Sequence, residues 1–181
     1  MSANFENLKQ EVLNLSENDN WNDAVTEWEL DFSSEDKNAS SECVCGKENI
    51  RYLHRIKNIH NGNELKWIGS ECIKKFNRTD FDALISIEEK LFRIGDAIRT
   101  GNKVDLNSYF FSKKTIKHFY DNNVFEANQH NNNDPSREYD FLLSMFNKGE
   151  ARRTENQERK IYVLINYYII PYVRSFTMRK K

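Results

Sequence analysis

The chain has 181 residues, 27 basic and 28 acidic side chains, a formal net charge of −1 and 13% aromatic content. That length suits one domain, or one domain with a small module, and the Phe and Tyr content supplies a core despite a charged fraction of 30%. No apolar run reaches the roughly 18 residues of a membrane span, and three cysteines, an odd number with no secretory signal before them, argue against a disulfide framework and for a reducing compartment.

At the start, Phe5, Leu8, Val12 and Leu15 recur at helical spacing and predict an amphipathic helix from Asn4 to Leu15. A second short helix is expected to hold Trp21, Ala24, Val25 and Trp28. Its Asp23, Glu27 and Glu29 read either as a partner-facing stripe or as the solvated face of a helix whose tryptophans enter the core. From Ser33 to Glu42 no apolar spacing survives, which predicts a loop or linker. Residues 1–42 thus form an acidic helical segment with 11 acids and 2 bases, against 17 acids and 25 bases in the remainder. Such a split means either internal docking of an acidic arm or a surface that meets a basic partner.

Residues 43–78 contain all three cysteines. Cys43 and Cys45 are followed by Gly46, and a Cys-X-Cys-Gly turn lets two thiolates face one point because glycine accepts the backbone angles of a tight turn. IRYLHRIKN and NELKWIG then read as strands joined at Asn61-Gly62, the strongest short signal for a two-residue hairpin turn. With that turn His60 pairs with Asn63, His54 lies opposite Gly69, and Cys72 follows at the start of a helix. His54 and Cys72 are therefore expected beside the cysteine turn, with His60 about 20 Å away.

Cys43, Cys45, His54 and Cys72 make a Cys₃His set, which points to tetrahedral Zn²⁺ in a closed, structural site. The plainer alternative is three small cysteines in a reduced core and an ordinary strand histidine. Residues 51–78 carry Arg51, Arg55, Lys57, Lys66, Lys74, Lys75 and Arg78 against Glu64 and Glu71, interleaved with Tyr52, Trp67 and Phe76. A basic module with aromatics suits nucleic-acid binding as well as it suits an ordinary solvated hairpin.

Residues 79–181 are expected to be helical. Phe81, Leu84, Ile85, Leu91, Phe92 and Ile98 trace one face ending near Gly101, and Ser112 caps a helix bearing Ile116 and Phe119. ANQHNNND reads as an exposed loop. Asp134-Pro135 opens a helix bearing Tyr139, Leu142, Leu143 and Phe146, and Thr154 with Gln157 forms a capping box before the last helix. That helix has the longest apolar face, Pro171 is expected to kink it, and the RKK tail is expected to fray. The fold class expected from the whole chain is α+β, predominantly helical, with a small zinc-bound knuckle, β-hairpin and helix of treble-clef type.

No nucleotide-binding glycine loop, zinc-protease HExxH, nucleophile elbow or deaminase motif is present, and His118 and His130 lack a partner motif. A closed zinc site builds structure, so an enzyme is not expected.

CxCG, an Ile-rich strand, an Asn and Gly turn and GSxCIxxF together resemble small proteins encoded by bacteriophages and prophages, in some of which a cysteine stands where this chain has His54. The likeness extends to Trp21, Trp28 and Glu29, and more weakly to YDFLLSMFNK and TENQERKI. Among such proteins the chain looks like a zinc-containing anti-CRISPR inhibitor of type II-A Cas9. The resemblance implies structural zinc, a Cas9 nuclease as partner, hindered engagement of target DNA and residence in the bacterial cytoplasm. It also suggests that Glu17, Asp19, Asp23, Glu27, Glu29 and Asp31 face the basic channels in which Cas9 holds guide and target.

Overall fold

A computed structural model describes residues 3–179, and its architecture is α+β, mostly helical with one three-stranded antiparallel sheet. Lys180 and Lys181 of the RKK tail lie outside the described residues. Contacts divide the chain into two compact units, residues 3–85 and Ser86–Arg179, with the boundary inside a single helix. Each unit has its own apolar core. The expected boundaries at residues 42 and 78 both fall within the first unit, where Trp28–Glu35 of the acidic segment is built into the sheet.

The first unit begins with α1 (Ala3–Leu15), which buries Leu8 and Val12, and α2 (Trp21–Ala24), whose N-cap Asn20 accepts a bond from the N–H of Asn22. Trp21 is half-buried and packs edge-on against Phe5 at 5.5 Å and at a tilt against Phe76 at 5.4 Å. Trp28 is fully buried and its indole N–H donates to the hydroxyl of Ser16 at 2.9 Å. Trp28 does not end a helix, as its spacing suggests. It opens β1 (Trp28–Glu35), which pairs with β2 (Tyr52–Asn58), which in turn pairs with β3 (Glu64–Gly69). Polar composition marks Ser33 to Glu35 as loop, yet pairing with β2 holds it extended, because strand formation depends on neighbours more than on intrinsic preference.

The hairpin exists, but its register differs from the expected one. Lys57 pairs with Glu64 and Ile56 with Leu65, whereas His54 pairs with Ile68 and Leu53, not His54, lies opposite Gly69. Two causes act. Asn58 accepts the N–H groups of His60 and Asn61 on its side chain and that of Gly62 on its carbonyl, so the turn spans four residues instead of two. Beyond it a bulge sets Lys66 and Trp67 against Arg55 alone, which takes back one of the two positions displaced by the longer turn and leaves a net shift of one. After β3 the chain enters α3 (Ser70–Ile73) and a 3₁₀ turn that closes on Asn77 in the left-handed region.

The second unit takes most of α4 (Thr79–Thr100), then α5 (Lys113–Asp121), α6 (Ser136–Lys148), α7 (Glu155–Leu164) and α8 (Ile170–Arg179). Its core is formed by Leu91, Ile94, Phe111, Ile116, Phe119, Leu142, Ile165, Ile169 and Val173. Ser112 caps α5 by accepting from the N–H of Thr115 at 3.1 Å, Asp134 accepts from the N–H of Ser136 at 3.0 Å, and Thr154 and Gln157 form the predicted capping box. The asparagine loop is more ordered than its composition suggests. Asn131 is 1% exposed, accepts the N–H of Asn128 and donates to the carbonyl of Glu126 at 2.8 Å. Pro171 stands in the first turn of α8, directly after a π-helical turn at Ile165–Ile169. Proline lacks the amide that would bond four residues back and its ring crowds that carbonyl, which favours the wider turn.

Candidate metal centre

Cys43 sits in the loop before β2, with its N–H on the carbonyl of Lys47 at 2.8 Å and the N–H of Val44 on the carbonyl of Trp67 at 2.9 Å. Gly46 closes this turn at φ +84°, a left-handed conformation that L side chains rarely adopt. Cys72 lies in α3, directly after the hairpin. The hairpin thus carries Cys72 back onto the Cys43–Cys45 turn, and the three sulfurs lie within 4.8 Å of one another. Sulfurs around a tetrahedral zinc stand about 3.8 Å apart, from Zn–S bonds of about 2.3 Å, which is inside that limit.

Cys43 and Cys45 are buried and Cys72 is half-exposed. The N–H of Gly69 donates to the sulfur of Cys43 at 3.3 Å, and the amide of Asn4 reaches the sulfur of Cys45 at 3.7 Å and its carbonyl at 3.1 Å. Asn7 reaches the same carbonyl at 3.4 Å. A hydrogen bond from the Cys72 thiol, opposed by burial and aided by the Gly69 N–H, pulls the Cys43 thiol down to about 5. Cys72 is pushed up, first by that same bond and then by burial and the neighbouring sulfurs. Three crowded, desolvated sulfurs cannot all carry negative charge unless a cation sits among them. The donor set therefore fits a soft metal ion.

The structure brings together three of the four predicted ligands and places His54 outside that group. His54 is fully buried, with Nδ1 2.8 Å from the hydroxyl of Ser33 on β1 and Nε2 3.1 Å from the hydroxyl of Ser70. The register explains the difference, since His54 faces Ile68 and not the glycine that leads into α3. Ser33, Ser70, Asn4 and Asn7 were not singled out from the sequence. Only Ser70 carries a signal, standing beside Cys72 in the GSxC motif; the others reach the site through tertiary contacts.

Among the acidic residues expected to face a partner, Glu17, Asp19, Asp23 and Glu29 are exposed. Glu27 is a correction: it is 1% exposed and used internally. Its carboxylate accepts the N–H groups of Glu17 and Asn18 and the side-chain amides of Asn18 and Asn58. Burial pushes its pKa up, but these donors outweigh burial and bring it down to about 2. Asp31 lies on the surface, paired with Arg55 at 2.5 Å. Of the two other histidines considered, His130 is exposed, and His118 is half-buried with Nε2 2.9 Å from the hydroxyl of Tyr172, its pKa lowered by burial.

Among the described residues no helix is long and apolar enough to cross a membrane. Comparison with known proteins finds no matching family model, no matching curated protein and no matching solved structure.

Proposed function

We propose that the protein is a metal-stabilised binding module of phage or prophage origin that engages a type II-A Cas9 in the bacterial cytoplasm and hinders its access to target DNA. The observation that carries the reading is the convergence of Cys43, Cys45 and Cys72 on a hairpin and short helix, the segments on which the resemblance rests. The ion is Zn²⁺ in a structural role, because a thiolate set selects it and the site lies against the core of the first unit. A four-coordinate site needs one more donor. The Cys₃His reading gives it to His54, where some of the similar phage proteins have a cysteine; its Nε2 lies on the hydroxyl of Ser70, two residues before Cys72 in α3.

Charge on the first unit favours a protein partner over free nucleic acid. Arg51 pairs with Glu35 at 2.6 Å, Arg55 with Asp31, Lys66 with Glu64 at 2.8 Å, Lys74 with Glu71 at 2.5 Å and Arg78 with Asp80 at 2.7 Å. Cations already sharing carboxylates release few counterions on meeting phosphates, which weakens the basis for nucleic-acid binding. Exposed Glu17, Asp19, Asp23 and Glu29 complement the positively charged channels of a Cas9.

The test is co-elution with guide-loaded Cas9 together with a DNA-cleavage assay. A stable complex, suppressed cleavage and poor binding of free DNA are expected. Absence of a complex in every order of addition would remove the partner, and salt-sensitive shifting of bare DNA would replace it with the nucleic-acid reading.

A further inference from the structure

We infer that Cys43 and Cys72 form an oxidant-operated release for the metal, closing into a disulfide that leaves only Cys45 of the three sulfurs; this rests on the reading of the cysteines as a metal centre. A cavity of about 200 Å³ is lined by Cys43, Cys72, Lys47, Arg51, Gly69 and Ser70. Cys45 does not line it, and neither do Asn4 and Asn7, which donate to the Cys45 carbonyl, Asn4 also to its sulfur. A small oxidant in the cavity therefore meets two of the three sulfurs. Cys72 is the more exposed of the pair and is met first. Lys47 and Arg51 line the same cavity together with Glu71, and Arg51 is paired with Glu35, so access and not added charge sets which sulfur is reached.

Hydrogen peroxide balances the step. The sulfur of Cys72 attacks one peroxide oxygen, the O–O bond breaks, and the departing oxygen takes a proton and leaves as water, which yields a sulfenic acid. The sulfur of Cys43, within 4.8 Å, attacks that sulfur, and the sulfenic oxygen leaves as a second water. Two thiols lose two electrons and one peroxide gains them, the protons coming from the thiols or, for thiolates, from solvent. A thiol reductant reverses the bond, so the device resets.

The experiment uses the full-length reduced protein, both zinc-loaded and metal-free, treated with graded hydrogen peroxide. A chromophoric chelator follows zinc, and peptide mass mapping follows disulfides. One Cys43–Cys72 link per zinc ion released, reversed by dithiothreitol, is the expected result, and metal-free Cys45→Ser should form the same link. A principal link that includes Cys45, or zinc that stays bound while Cys72 oxidises, overturns the inference. Failure of the reduced protein to bind zinc would sink the metal-centre reading instead, and the metal-free arm would still decide which cysteines pair.

Discussion

Glu27 shows how one buried carboxylate can join three parts of the first unit. Its donors come from Glu17 and Asn18 in the loop after α1 and from Asn58 at the hairpin turn, and the carboxylate itself stands just before β1. Because its folded pKa lies near 2, below the ordinary value of 4.5, its contribution is fully present above about pH 4.5 and is lost as pH falls toward 2. Glu27→Gln should destabilise the protein by about 2 kcal/mol at neutral pH, since one face of the amide sets a donor against donors. Urea unfolding at pH 7 and pH 3 checks this, and the variant should be less sensitive than the parent to acidification between these values. His54 and His60 provide the second residue-level comparison. His54→Ala removes a fully buried ring with bonds to Ser33 and Ser70 and should lower thermal stability, whereas His60→Ala at the exposed turn should not. Zinc content by elemental analysis then separates roles: reduced metal in His54→Ala supports its place as fourth donor, and full metal in a folded variant leaves it as a strut between strands.

At the scale of elements, Gly95 in α4 inverts an ordinary expectation. Glycine inside a helix normally costs about 1 kcal/mol relative to alanine. Here an added Cβ would stand 2.7 Å from Cγ2 of Thr177 on α8, whose hydroxyl is bonded to the carbonyl of Val173. Gly95→Ala should therefore destabilise the second unit by about 1 kcal/mol or more, as overpacking does, and a rise in melting temperature would contradict the contact. Thr154→Ala removes the capping box of α7 and should cost about 1 kcal/mol in the same assay. Elements of this kind were legible: cap residues and apolar spacing located α1, α4, α5, α6 and α7 closely. The strand β1 was not, because Ser33, Ser34 and Glu35 have no strand pattern of their own and are held by β2.

At the scale of the whole molecule, the acidic arm is used in two ways. Asp31 and Glu35 pair across the sheet with Arg55 and Arg51, and Glu27 is buried, while Glu17, Asp19, Asp23 and Glu29 remain on the surface. If those four carboxylates meet a basic partner, replacing Glu17, Asp19 and Asp23 with Lys should slow association with Cas9 and reduce its salt dependence, read by surface plasmon resonance. Metal removal tests the division into units. Chelation should lower hydrogen-exchange protection in residues 3–85, whose core includes Cys43 and Cys45, and leave protection around Leu142, Ile165 and Val173 largely intact. Uniform loss across both units would show that they unfold as one.

The spacing of cysteines and glycines by itself determined that a tight turn, a hairpin and a short helix would gather sulfur ligands, since those preferences are local and act within a few residues. Helix positions followed for the same reason. Only the tertiary structure decided the register that turns His54 toward Ser33 and Ser70, the burial of Glu27 and the recruitment of β1. Each depends on contacts between residues far apart in the chain, and on a four-residue turn and a bulge that shift every side chain beyond them.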